Sequence, residues 1–265
     1  MAELFQQVEA AILEAVPSLK CERAAALDRS WQKGELSTDP QSPILPIDDP
    51  GRPDTPLLVD PRKLERRSFA TDSGRITLLH AFAHIEFNAI NIALDAVYRF
   101  RDLPAQYVSD WLLVASEEAR HFQLLEQALR QRGSYYGAHR AHRGLWDMVC
   151  KTRHDPLHRM ALVPRVMEAR GLDVTPGMIE KFRQHDDHAA IAILEQIYRD
   201  EIGHVRIGNR WYKELCGQQG LDAEATFLDL IERYMGGKLR GPFNWPGRIE
   251  AGFEASELSV LEQSI

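Results

Sequence analysis

The sequence has few cysteines, no long apolar run and hardly any β-strand pattern. Its three cysteines, Cys21, Cys150 and Cys216, lie far apart without a C-x-x-C pair. This distribution excludes a zinc ribbon or a rubredoxin-like iron site, and it suits a reducing cytoplasm. No stretch approaches the roughly 20 apolar residues of a membrane span. The acidic, helix-periodic N-terminus differs from a signal or transit peptide, so we expect a cytoplasmic protein without a membrane partner.

Acidic residues outnumber basic residues over the chain as a whole, 39 against 32, so the net charge is -7 at pH 7. Nonspecific binding of nucleic acid by the whole surface is therefore not expected. The segment 130–170 differs, because it carries nine Lys and Arg against three acids, a formal charge of +6. Two interpretations stay open: a solvated face paired with acids elsewhere, or a basic approach for a phosphate- or carboxylate-bearing substrate. A modified RNA nucleotide is the extreme case of the second.

Helical periodicity dominates the chain and predicts an all-α fold. Residues 40–61 hold seven of the 14 prolines and predict an extended strap. Gly171 is expected to end a helix, and Thr175–Pro176 to begin the next. The predicted helices cover residues 3–16, 21–33, 71–100, 104–131, 144–171 with an interruption at 155–156, 175–184, 187–216 and 222–235. We predict one integrated domain: a helical and Pro-rich extension (1–70), a four-helix bundle (71–217), and a helix with a Gly/Pro-rich tail (218–265).

Two segments repeat an acidic pair followed by histidine, E-E-A-R-H at 117–121 and D-E-I-G-H at 200–204. Residues three apart share one face of a helix, so the second acid and the histidine of each segment can bind one ion. These pairs are Glu118 with His121 and Glu201 with His204. One E-x-x-H segment occurs by chance about as often as it marks a site, but a second copy favours a metal site.

Each pair has a glutamate upstream at nearly the same spacing. Glu86 stands 32 residues before Glu118, and Glu168 stands 33 residues before Glu201. In an antiparallel hairpin that turns between residues 100 and 104, Glu86 and Glu118 both lie about 21 Å from the turn. Four carboxylates and two imidazoles form the centre of ferritin-like di-iron bundles. Such ligands suit two iron ions, or one manganese and one iron, and open positions can accept dioxygen.

Four further residues are candidates for roles beside the ligands. Asp200 and Glu117 can orient the histidines, Asp200 through His121 and Glu117 through His204, or they are exposed acids. Tyr198 shares a face with Glu201, where packing is expected rather than electron relay. Arg165 lies one turn before Glu168. It either meets an anionic substrate at the helix start of Thr175–Pro176, or forms a salt bridge to a ligand carboxylate.

Longer segments carry a resemblance to known families. The segment R-D-E-I-G-H resembles the R-D-E-x-x-H segment of ribonucleotide reductase small subunits. HAFAHIEFNAINIALDAVYRF, SEEARHF, MALVPRVMEARGLDVTPGMI, RDEIGHVRIGNRWY and LRGPFNWPGR resemble the bacterial ferritin-like family called domain of unknown function 455. The resemblance covers nearly the whole chain. It implies a ferritin-like bundle with the six residues above as ligands, and it implies no reaction. Asn91 departs from the glutamate expected in relatives.

Three functions remain open from the sequence. The first is a di-metal oxidase or oxygenase that activates dioxygen for an unknown, anionic or neutral organic substrate, with an external electron donor. The second is iron binding with ferroxidase activity and no organic substrate. The third is a metal-stabilised helical scaffold. The extensions would cover the bundle surfaces that a storage cage needs bare, so we expect a monomer or homodimer.

Overall fold

The structure is a computed structural model that describes residues 2–39, 42–65, 68–237 and 239–263. These residues are mostly α-helical, and the paired strands among them are two residues long, so the all-α prediction is confirmed. The chain divides into two compact units, Met1–Cys150 and Lys151–Ile265. Within the described ranges, no helix has both the length and the apolar character needed to cross a membrane. The ferritin-like topology and the three-part division stay predictions.

Within its described residues, the first unit consists of five α-helices, one short 3-10 helix (Pro61–Lys63) and one pair of short strands. The elements are β1 (Ala2–Glu3), α1 (Leu4–Ile12), α2 (Pro17–Gln32), β2 (Leu36–Ser37), α3 (Asp72–Arg99), α4 (Ala105–Gln131) and α5 (Gly144–Lys151). Strands β1 and β2 pair in parallel. Helix α2 begins four residues earlier than predicted because proline fits the first turn of a helix, where its missing N–H is not needed.

Helices α3 and α4 form the hairpin that the sequence predicts. Thr71 caps α3 by accepting a hydrogen bond from the Gly74 N–H at 3.1 Å, and Pro104 stands immediately before α4. The two helices pack along their length, with the rings of Phe87 and Phe122 5.4 Å apart. Both boundaries agree with the prediction within one or two residues, because local capping residues determine them.

The strap lies against α1 and α5 of the same unit. Its described residues 42–60 contain no helix, and Pro61 begins a 3-10 helix; residues 40 and 41 lie outside the described part. The Gly51 N–H donates to the Ile12 carbonyl at 2.9 Å, and the Trp146 indole donates to the Asp48 carbonyl at 3.0 Å. The backbone hydrogen bonds of the extended segment are thus directed to neighbouring elements.

The described part of the second unit contains helices in the four regions where the sequence predicts them, and two further short helices near its C-terminal end. Its elements are α6 (Pro156–Leu162), a π-helical turn (Val163–Glu168), α7 (Ala169–Arg183), α8 (His188–Gln219), α9 (Ala223–Met235), α10 (Trp245–Glu250) and α11 (Ala255–Gln263). The last two helices lie in the segment described from the sequence as a Gly/Pro-rich tail. Each is too short for its hydrophobic period to stand out in the sequence.

The predicted break between Gly171 and Thr175 is wrong, because α7 runs through both residues and through Pro176. Proline cannot bond the carbonyl four residues before it, which here belongs to Leu172. That carbonyl instead accepts a hydrogen bond from the Asn244 side-chain amide at 2.9 Å. With the lost bond replaced and one face of α7 buried, the helix continues. The helix start that was to bind an anion does not exist.

Candidate metal centre

In the first unit, Glu86, Glu118 and His121 meet on the facing sides of α3 and α4. The helical spacing of three residues places Glu118 and His121 on one face, and the hairpin brings Glu86 to the same height. The three side chains are buried, with residue exposures of 3%, 1% and 0%. Their ligand atoms lie within 4.8 Å of one another. These residues form the first half-site.

Both carboxylates of the first half-site approach one nitrogen of the imidazole. The His121 Nδ1 atom lies 3.2 Å from Glu86 Oε2 and 3.4 Å from Glu118 Oε2. Two oxygens and one nitrogen therefore converge on one small volume. Carboxylate and imidazole are the donors that iron and manganese take in proteins, so the donor set fits such an ion.

The electrostatics of the first half-site also suit a cation. Burial and the negative charge of Glu118 raise the pKa of Glu86 to about 8, and the hydrogen bond to His121 offsets only part of this effect. Without a metal, the raised pKa therefore favours the protonated form of the Glu86 carboxyl. A bound divalent ion would replace that proton and neutralise two carboxylates that otherwise repel each other.

The second unit holds the other three predicted ligands, two of which the structure brings together. Glu201 Oε1 lies 3.4 Å from His204 Nδ1 on α8, and the His204 side chain is buried. Glu168 is the last residue of the π-helical turn, at the point where α7 begins. We call Glu168, Glu201 and His204 the second half-site. The sequence prediction that the two half-sites make one centre stays a prediction.

The residues predicted beside the ligands have the following partners. Asp200 accepts a hydrogen bond from the Gln196 amide at 2.8 Å, and Glu117 lies 3.6 Å from Arg120. The proposed roles of these two acids in orienting the histidines stay predictions. The Tyr198 hydroxyl accepts a hydrogen bond from the Asn244 amide at 2.8 Å, so it helps to hold residues 239–263, which we call the C-terminal segment.

Arg165 pairs with a residue that the sequence hypotheses did not name. Its buried guanidinium donates to the Glu257 carboxylate of α11 rather than to a predicted ligand. Other arginines of segment 130–170 also pair with acids: Arg143 lies 2.8 Å from Asp49, and Arg130 lies 2.9 Å from Glu126. These pairs favour the interpretation of the segment as a charge-paired face.

Sequence reasoning missed a set of polar residues that join the C-terminal segment to α7 and α8 within the second unit. Arg248 donates two hydrogen bonds of 2.8 Å to Asp173, and both side chains are buried. Asn244 joins the Leu172 carbonyl and Tyr198. The asparagine and the second arginine of the segment LRGPFNWPGR make these contacts. Their partners, however, lie more than 40 residues away.

The chain is similar over nearly its whole length to a known protein family. A family model described as "Protein of unknown function (DUF455)" matches residues 13–259. A protein of Haemophilus influenzae that bears the name "Uncharacterized protein" is 46% identical over 271 aligned residues, which cover 98% of this chain and 94% of the relative. No solved structure matches the chain.

Proposed function

The chain belongs to the DUF455 family, and we propose that it is a non-heme di-metal protein that activates dioxygen. The proposed ligands of the two metal ions are Glu86, Glu118, His121, Glu168, Glu201 and His204. Iron in both positions, or manganese and iron, suits four carboxylates and two imidazoles. Ions held by such ligands supply open positions at which dioxygen can bind and be reduced.

One observation carries the proposal: the side chains of Glu86, Glu118 and His121 converge at a point that is shielded from water. Burying an ionised carboxylate is costly unless it is paired or bound to a metal. Glu86 and Glu118 share one imidazole, and the raised pKa of Glu86 shows that this pairing does not compensate for burial. A cation at the first half-site would compensate for the cost of burying the two carboxylates. The matched spacing of the second half-site supports a second ion.

The protein's own groups have three tasks in this proposal. The glutamates would hold the ions, and Glu86, whose raised pKa favours its protonated form, would give up that proton to a bound ion. The histidines fix the ligand geometry through their helical pairing with Glu118 and Glu201. The buried rings of Phe87 and Phe122, which follow Glu86 and His121 in the sequence, would help to keep water from the first half-site.

A second function, iron binding with ferroxidase activity, is favoured by the burial itself. Glu118 and His121 are 1% and 0% exposed, which leaves an organic substrate little access to these ligands. We keep the oxygenase as the main proposal and ferroxidase activity as the alternative. The proposed oxygenase would need an organic substrate and an external electron donor. A cytoplasmic location and a monomeric or homodimeric state belong to the same proposal.

The test is anaerobic loading of the metal-free protein with Fe(II), followed by one addition of dioxygen under optical observation. Both functions predict a change in the iron absorption that is absent from Glu118→Ala. The oxygenase predicts that oxygen consumption continues with a reductant and an organic substrate, and that it yields a modified organic product. Consumption that ends after the bound iron is oxidised would support the ferroxidase instead. Iron that fails to bind would contradict both.

A further inference from the structure

The π-helical turn before Glu168 is held in place from two sides. On one side, Pro164 packs against Gly208 of α8, and a Cβ atom at Gly208 would overlap the proline ring. Only glycine allows the helix to come so close. On the other side, Arg165 extends from the turn into the interior and is 0% exposed. A π turn has poorer geometry than an α-helix and persists where its surroundings fix it.

The guanidinium of Arg165 occupies an aromatic enclosure. Its central carbon lies 4.3 Å from the ring centroid of Tyr212, 4.1 Å from that of Phe227 and 4.9 Å from that of Phe253. One of its nitrogens donates to Glu257. Its Nε and Nη1 atoms have no hydrogen-bond partner in the described part of the chain. The rings and one carboxylate thus hold the cation in a fixed position.

Glu257 is itself fixed at the start of α11. Its second oxygen accepts a hydrogen bond from the Glu254 N–H at 2.9 Å, the bond of a capping box. Its side chain is 4% exposed. Movement of Glu257 would therefore disturb the first turn of α11. The C-terminal segment thereby becomes a rigid support for Arg165.

We propose that the Arg165–Glu257 pair positions the metal ligand Glu168. The pair fixes the π turn, and the turn determines where the last residue of that turn directs its carboxylate. Arg165 and Glu257 are thus positioning residues, which act on the metal through Glu168. This inference rests on the proposed function, because it needs Glu168 to be a ligand. It assigns to the C-terminal segment a role in metal affinity beyond that of covering the helices.

The test uses the double variant Arg165→Met/Glu257→Met, which removes both charges and leaves neither partner buried alone. The metal-free variant is titrated with Co(II), and uptake and the visible Co(II) absorption are recorded. We expect one of the two bound ions to bind about 10–100-fold more weakly, the usual effect of losing a group that orients a ligand. Its absorption bands should also shift, which a loss of stability alone would not produce.

The matched control is Arg248→Met/Asp173→Leu, because it removes another buried ion pair between the same segment and α7. A purely structural role of the C-terminal segment predicts equal effects in both double variants. Equal Co(II) affinities and spectra in the two would overturn the inference. A much larger effect of the Arg165–Glu257 change is the result that we expect.

A third variant keeps the inference testable if the first does not fold. Gly208→Ala displaces Pro164 and leaves the C-terminal segment unchanged. It should therefore lower the affinity for the same Co(II) ion. Wild-type binding in folded Gly208→Ala would overturn the inference. The proposed function fails separately: a wild-type protein that takes up no Co(II) contradicts the metal centre itself. Two ions in the wild type and in every variant, with unchanged affinity, contradict only the positioning role.

Discussion

Replacing Glu86 by glutamine should stabilise the metal-free protein while abolishing its tight metal binding. The pKa of Glu86 is raised from 4.5 to about 8 by burial and by Glu118. Between these values the unfolded chain loses the proton and the folded chain keeps it, so the native state loses about 1.4 kcal/mol per pH unit as the pH rises. Glutamine has no such proton. Metal-free Glu86→Gln should therefore be more stable than the wild type by about 3 kcal/mol at pH 7.

The assay is urea unfolding of both proteins after chelation, at pH 5 and at pH 7. At pH 5 the difference should shrink to about 1 kcal/mol or less, because the unfolded chain then retains part of the proton. Glu126→Gln is the control, since Glu126 lies two turns beyond Glu118 on α4 and forms a surface ion pair with Arg130. Its stability should change by under about 1 kcal/mol at both pH values.

Two outcomes would refute this reasoning. If metal-free Glu86→Gln is no more stable than the wild type at pH 7, burying the ionisable carboxyl of Glu86 does not lower the free energy of unfolding. If the difference is the same at pH 5 and pH 7, its cause is packing rather than ionisation. Added metal should reverse the order of the two proteins, because only the wild type gains stability from binding.

Two further predictions concern single side chains. Asp200→Asn should keep the fold and bind metal while altering the oxygen kinetics, because the carboxylate is expected to orient His121; wild-type spectra and kinetics would exclude that role. Lys20→Met should lower the unfolding free energy by about 1–3 kcal/mol, because the buried Lys20 amine donates to two carbonyls at the end of α1 and to Asn91. Thermal melting checks it, and an unchanged melting temperature would show that these hydrogen bonds are not needed.

The parts of the fold that depend on neighbours in sequence could be predicted. Thr71 and Pro104 lie beside the helices that they start, and helix periodicity alone places Glu118 and His121 on one face. The break expected at Gly171 and Pro176 was wrong because its compensation comes from Asn244, 72 residues from the carbonyl that it satisfies. A local rule cannot include such a partner.

The same limit applies to the candidate site. The E-x-x-H pairs could be read from the sequence because their spacing follows from the geometry of one helix, and Glu86 could be added because the α3–α4 hairpin has equal arms. The π turn that ends at Glu168 and the pairing of Arg165 with Glu257 could not, because that pair spans 92 residues. The raised pKa of Glu86 depends on how deeply α3 and α4 bury it, which only the packed structure determines.

The measurement that tests the central claim most directly is the metal content of protein purified from iron-supplemented cells, beside that of Glu118→Ala. The account predicts two iron or manganese ions per wild-type chain and the loss of at least one in the variant, with both proteins folded by circular dichroism. A wild-type chain without bound metal, or a variant that keeps the full load, would contradict it.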